Sequence, residues 1–397
     1  MKAGLIIKPP VSLLLIGLFT LSWGKRDLSG QASNDEQLRQ HWRPFEQQVE
    51  LSIKSGSGIG AEVYIEKRGT VIYHQAFGFT DHERGVKSKV GDIYNIRSMT
   101  KPMGGAIIAM LMEQGKLSLS DRVAKYLPEF NHGKTKALTI SQLLLHQGGY
   151  SQGQPGRSWQ RYQSLAAMVD YWAENGPDSN IGGDFSYADA HADILGRIAE
   201  VITGKTARQL LNDWLIGPLE MEHSFSAWTE DPTLVKRIAP QIRGQKNNWR
   251  VVWRPSDYPW HQFGMFAQGV FATALDYAKF MHLFMPNRSI VHNEILSESS
   301  VLQAFKNRIE INIPVGVFPF GDNKRLAYGQ LWGLALEDLK SDWPFSFMHQ
   351  GSDGTAAYAF PKQEVIIIVL TQSRGGNLRN DVELAIQEHL LGILLTN

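Results

Sequence analysis

The sequence predicts an α+β protein: an antiparallel sheet flanked by helices, built from strands at both ends of the chain, with a mostly helical segment inserted between them. Three observations carry this expectation. Alternating strand formers in AEVYIEKRGTVIYHQAFGF flank Lys67, Arg68 and Gly69, the pattern of a β-hairpin. A second pair of strand-like runs, Ala356 to Phe360 and Glu364 to Thr371, lies late in the chain across the turn Pro361, Lys362, Gln363. Between these ends, from Ser98 to the neighbourhood of His223, apolar residues recur at helical spacing.

Taken in order, the first element is not part of the fold. Lys2 and Lys8 precede an apolar run from Val11 to Trp23, and Lys25, Arg26 and Asp27 follow it. Spanning a bilayer takes about 20 apolar residues, so the run reads as a secretory signal over residues 1–32, with Ser22/Gly24 or Gly30/Ala32 as the small pair before cleavage. The expectation is export to the periplasm or medium, with transient membrane and translocon contact through this segment. An uncleaved membrane anchor is the alternative. With no Cys anywhere, a lipoprotein anchor is excluded.

Asn34 to Lys54 then reads as a helix ended by the Gly/Ser run Ser55 to Gly60, followed by the hairpin. MGGAIIAMLMEQ is a helix stopped at Gly115, ISQLLLH one stopped at Gly148 and Gly149, and DILGRIAEVIT one stopped at Gly204. Ile238 to Val252 is mixed in pattern. A further helix begins near Thr273, and Asp381 to Leu391 supplies an amphipathic terminal helix. The expected organisation is one unit over residues 33–397, with 33–80 and about 225–397 forming the α/β part and about 81–224 the helical part.

Composition narrows the chemistry. Across 397 residues, 40 Lys+Arg face 39 Asp+Glu, which leaves no basic excess for a nucleic-acid partner. The absence of Cys removes thiol nucleophiles, Fe–S clusters and Cys-type zinc sites. No H-x-x-x-H or H-E-x-x-H pair is present, so no metal site is expected. The eleven tryptophans read as core or surface anchors.

Two serine signatures remain. Gly149-Tyr150-Ser151-Gln152-Gly153 matches the G-x-S-x-G elbow, which needs a strand before the serine and a helix after it. Here a helical pattern precedes and a loop-like stretch follows, which favours a glycine-rich turn. The second is Ser98-Met99-Thr100-Lys101; another S-x-x-K, Ser22 to Lys25, falls inside the presumed signal. Ser98 opens an apolar helix with Pro102 tolerated in its first turn. Residues three apart share a helix face, so Lys101 can reach the Ser98 hydroxyl as its base. The helix N-terminus offers N–H groups to a developing oxyanion. The alternative is an ordinary Ser N-cap beside a solvated lysine.

Phe185-Ser186-Tyr187-Ala188-Asp189 and His349-Gln350-Gly351-Ser352-Asp353-Gly354-Thr355 break the tie. Together with IYNIRSMTKPM, GKLSLSDRVAKYLPEF, LTISQLLLHQGGY and GVFATALDYAKF, they make the chain from about Ile65 onward resemble the serine β-lactamase and penicillin-binding-protein superfamily. The likeness is greatest to its class C-like branch, which includes the family VIII esterases. The resemblance implies a β-lactamase-like fold and an acyl-enzyme at Ser98, with Lys101 as base or proton shuttle and Tyr187 moving the proton to the leaving group. It also implies that His349 and Gly351 match the element lining the cleft and that the Ser352 N–H joins that of Ser98 in an oxyanion hole. Gly351 would let a substrate approach the backbone, and the strand edge would hydrogen-bond an extended acyl group.

Two residues depart from the family pattern. Asp189 replaces Asn, loses an N–H donor, and can instead pair with Lys101 as a cation. His349 replaces Lys and weakens the case for a fixed positive charge. Both shift the expected substrate, a small acyl molecule, towards carboxylic esters or small amides. A class C-like β-lactamase or D,D-peptidase, or a binding or sensor module without turnover, are the alternatives. No cofactor is implied and the oligomeric state stays open. His146 matches a position that looks structural, and His191 reads either as an ordinary buried histidine or as one facing the cleft.

Overall fold

The computed structural model describes residues 29–153, 158–312, 319–321, 324–338 and 340–396, with side chains from residue 40. The apolar run Val11 to Trp23 and the S-x-x-K at Ser22 lie outside the described residues. The chain divides after Gln40; before it, the described backbone is the start of helix α1 (Ser29–Lys54), and everything that follows concerns His41–Asn397.

The main sheet joins the chain ends. Strands β1 (Gly60–Lys67), β2 (Thr70–Asp81) and β3 (Val86–Lys87) come from the N-terminal side. The short strands β4 (Tyr94–Asn95), β5 (Phe225–Ser226), β6 (Gln241–Gln245), β7 (Asn248–Trp253) and β8 (Val270–Ala272) lie outside this sheet. It is completed by β9 (Ile309–Glu310), β10 (Arg325–Tyr328), β11 (Gly333–Leu336), β12 (Ser346–Gln350), β13 (Ala356–Phe360) and β14 (Val365–Leu370). Among the described residues the order is β3-β2-β1-β14-β13-β12-β11-β10-β9, antiparallel throughout, with Val63 opposite Val369 where the termini meet.

This central pairing explains the unbroken apolar run of β14, because the strand is covered on both faces. Val365, Ile367 and Val369 share a core with Phe45 and Val49 of α1 and with Val382 and Ile386 of the C-terminal helix Leu378–His389. Ile366, Ile368 and Leu370 alternate to the other face and join the larger core. That core holds α2 (Thr100–Glu113), whose residues Thr100 to Leu111 are all buried. A helix apolar on every side is stable only inside a core. Helices α3 (Ile140–Leu144) and α4 (Leu165–Asn175) pack on α5 (Asp189–Thr203), which packs on α2. Helix α5 ends on Gly204 at φ +70, the left-handed cap that the sequence pattern anticipates.

Two small sheets complete the frame. β15 (Ser373–Arg374) runs parallel to β6, which pairs with β7; β4 pairs with β8, and β8 with β5. The mixed segment Ile238 to Val252 therefore resolves into β6 and most of β7.

Candidate active site

The segment Ile93 to Thr100 builds the nucleophile turn. Its residues are buried except Ser98, which is partly exposed. Tyr94 and Asn95 are fixed as β4 against β8. The chain then reverses through Arg97, a non-glycine residue at φ +51, a sparsely populated conformation that needs support. Asn95 supplies part of it by accepting the Arg97 N–H at 3.1 Å. Ser98 sits in the single 3-10 turn Arg97–Met99, just ahead of α2 rather than inside it, and Lys101 follows in the first turn of the helix.

Lys101 is fully buried. Its Nζ donates to Ser98 Oγ at 3.1 Å, to Asp189 Oδ1 at 2.6 Å and to the Ala267 carbonyl at 3.1 Å. Burial alone would push the ammonium down, but Asp189 and Tyr187 outweigh it and hold the pKa above the ordinary lysine value. Each of the three protons of a lysine ammonium thus has an acceptor. Tyr187, half-buried just before α5, is in hydrogen-bonding reach of both Lys101 and Ser98. Burial raises its phenol and the Lys101 charge pulls it back, with a net upward shift.

The opposite wall is β12. Gly351 also has a steric reason to be glycine. A Cβ there would lie 2.1 Å from Thr355 Oγ1 and 2.5 Å from the Ile96 carbonyl, so the bare Cα is what lets the strand end seat against the nucleophile turn. Thr355 closes this contact by donating to Ile96 O at 3.0 Å. Nor is β12 an edge strand: it lies between β11 and β13, and only His349 and Gln350 run past the last β11 partner, Met348 opposite Gly333. His349 is buried, with Nδ1 2.9 Å from the Gln350 carbonyl and Nε2 3.3 Å from the Tyr328 hydroxyl. Burial, then the nearby Lys101 charge, pushes it down to about 3. It is a neutral ring, with Nδ1–H donating and Nε2 accepting.

Ser98, Tyr187, His349, Gly351 and Ser352 line one cavity of about 380 Å³. Ser98, Ser352 and Asp189 line a second of about 300 Å³. The structure therefore gathers all seven sequence-selected residues around Ser98. It sets the rival serine aside: Ser151 lies in the loop after α3 and donates to Asp178. His146 and His191 are both fully buried, with their Nδ1 atoms 2.8 Å apart, and neither lines these cavities.

Three supporting residues escape the sequence reading. Gln152 clamps Asp189, accepting its backbone N–H at 2.9 Å and donating to Oδ2 at 3.1 Å. Asp193 accepts the N–H groups of Phe266 and Ala267 at 3.0 and 2.8 Å, which fixes the carbonyl that Lys101 meets. Burial raises Asp193 to about 7. A signal for it exists in Asp189 and Asp193, two acids one turn apart on a buried helix. Asp353, the third, is discussed below.

The arrangement is that of a β-lactamase-fold serine hydrolase. The Beta-lactamase family model matches residues 39–390, and the chain belongs to that family. Among curated relatives, Protein flp of Staphylococcus aureus (strain MW2) is 29% identical over 205 residues, 49% of this chain and 40% of that protein. Teichoic acid D-alanine hydrolase of Staphylococcus aureus is 25% identical over 183 residues, 46% of this chain and 44% of that protein. These matches thus span less than half of either relative's length. In fold, the chain resembles the solved structure of EstCE1, a hydrolase with promiscuous acyltransferase activity, at TM-score 0.72 and 18% identity, over 88% of this chain and 98% of that one.

Proposed function

We propose that this protein is an exported serine hydrolase that cleaves carboxylic esters or small amides through an acyl-enzyme on Ser98. The observation that carries the reading is the contact of one partly exposed hydroxyl, Ser98, with both a buried lysine and a tyrosine. Ser98 Oγ bonds to the substrate carbonyl carbon while its proton passes to Tyr187. The N–H groups of Ser98 and Ser352 receive the oxyanion. Tyr187 then returns the proton to the leaving group, and water releases the acyl group by the reverse route.

Lys101, held as a cation by Asp189, stabilises the tyrosinate; the Lys101–Tyr187 pair must shed one proton before Ser98 can lose its own. The neutral His349 offers no fixed charge for a substrate carboxylate, which favours esters and amides over β-lactams and D,D-peptides. Export rests on the residue 1–32 pattern; among the described residues no helix is long and apolar enough to cross a membrane.

The test is labelling with a fluorophosphonate probe, expected for the wild type, lost in Ser98→Ala and kept in Ser151→Ala. Labelling that persists in Ser98→Ala refutes the reading. Turnover of short-chain aryl esters is expected to exceed that of a chromogenic cephalosporin and of a D-Ala-D-Ala peptide. The reverse order refutes the ester preference.

A further inference from the structure

Ser98 borders two cavities of different character. The one holding Tyr187 is walled largely by Phe185, Ile311, Tyr328 and Met348, and its one arginine among the described lining residues, Arg379, is ion-paired with Glu383 at 3.3 Å. The one holding Asp189 contains three arginines, Arg97, Arg243 and Arg374. Tyr187 lines only the first, and a leaving group protonated by Tyr187 must depart on that side. A substrate whose leaving group departs on that side directs its acyl group to the arginine side.

The described lining of that cavity is rich in cations. Asp189 is matched by Lys101 at 2.6 Å. The buried Asp353 serves two guanidiniums, Arg97 Nε at 2.5 Å and Arg374 at 3.7 Å. With the exposed Arg243, three arginines stand beside one carboxylate, Asp189, among the described residues that line the cavity. Arg374 and Arg243 are moreover register partners on the parallel strands β15 and β6, and like charges placed opposite each other on neighbouring strands are unfavourable. An anion bound between them relieves that repulsion.

The cavity is also preorganised. Arg97 is fixed by Asp353, by Gln241 at 3.0 Å and by Gln268 at 3.4 Å, and lies 5.6 Å from the Trp260 ring centroid. Guanidinium forks match carboxylates bidentately.

We propose that this cavity recognises a carboxylate at the far end of the acyl chain, so that the preferred substrates are half-esters or half-amides of dicarboxylic acids. The inference rests on the Ser98 acyl-enzyme reading and specifies its substrate class. It predicts that the 4-nitrophenyl monoesters of glutaric and adipic acid have kcat/KM values about 10-fold or more above those of the neutral esters of equal chain length, the range of one or two hydrogen bonds between charged groups. The preference resides mainly in KM and shrinks as ionic strength rises.

Arg243→Gln and Arg374→Gln are each expected to lower the half-ester to neutral-ester ratio several-fold, and the double variant to remove the preference. Because both substrates are read on one preparation, partial misfolding cancels from the ratio. A wild-type enzyme that turns over the neutral ester through Ser98 with a ratio near or below one overturns the inference and leaves the acyl-enzyme standing. A ratio unmoved in the double variant does the same. Absence of turnover on both esters, with no fluorophosphonate labelling of Ser98, removes both.

Discussion

Lys101 and His349 face each other across the same cleft, both basic and both buried, and the molecule holds them in opposite protonation states. On the helix wall, Lys101 has Asp189 at 2.6 Å and keeps its charge despite complete burial. On the strand wall, His349 has a carbonyl and a hydroxyl for partners, feels Lys101 as a like charge, and is pushed down to about 3. Burial acts on both in the same direction. The counter-charge decides the outcome, so changing it at Asp189 perturbs the site more than changing His349.

The largest effect is expected from Lys101→Ala. It removes the cation beside Tyr187 and is expected to lower ester kcat/KM by about 10³ to 10⁴, the range seen when a member of a catalytic unit is deleted. It also leaves the Asp189 carboxylate buried without its charge partner, at a cost of about 3–5 kcal/mol, which thermal melting will report. Retained activity would dissolve the distinction between the two walls.

Asp189→Asn tests the counter-charge itself. In the wild type the reactive form requires proton loss from a pair whose lysine and phenol are both raised, so kcat/KM is expected to climb with pH through the alkaline range. Without the carboxylate, burial and the lost attraction both lower the lysine. The alkaline limb is then expected to move down by at least about one pH unit. A limb that stays in place or moves up in a pH-rate profile contradicts the assignment of Asp189 as the group that holds the charge.

How much of this contrast is legible in sequence follows from the range of each interaction. Ser98 and Lys101 lie one helical turn apart, so their contact is a local property that the motif reports. The antiparallel sheet is equally legible, because the hairpin pattern of β1 and β2 and the short strand-forming runs of β13 and β14 on either side of a turn are local features of the sequence. Asp189 depends on a partner 88 positions away, yet its place at the start of α5 makes the pairing foreseeable. Gln152 lies in a loop and reaches Asp189 only through tertiary packing. The shared carboxylate of Asp353, 256 positions from Arg97, has no local pattern. Gly351 is legible as a glycine that matters, but its close approach to Thr355 Oγ1 and to the Ile96 carbonyl comes from tertiary packing that no local pattern reports.

A smaller effect concerns stability. Asp193 is raised from 3.8 to about 7 by burial, so the folded state holds a proton that the unfolded chain releases. Its stabilising contribution is complete below about pH 4 and is lost as pH rises through 7. Asn retains an oxygen for the two backbone N–H groups and does not titrate. Asp193→Asn is therefore expected to flatten the decline of melting temperature between about pH 4 and 7; an unchanged slope places the proton elsewhere.

The smallest effect is predicted for His349→Asn, and its smallness is informative. A histidine near its ordinary pKa would impose an acid limb on the pH-rate profile between about pH 6 and 7. His349 is neutral well below that range, because burial and the Lys101 charge oppose its protonation and outweigh the Gln350 carbonyl and the Asp189 charge that favour it. Wild-type and His349→Asn profiles should therefore share one shape from about pH 5 to 8. A few-fold uniform loss is expected as Tyr328 loses its acceptor. Should an acid limb present in the wild type vanish in the variant, His349 titrates during turnover, and the strand wall carries a switchable charge after all.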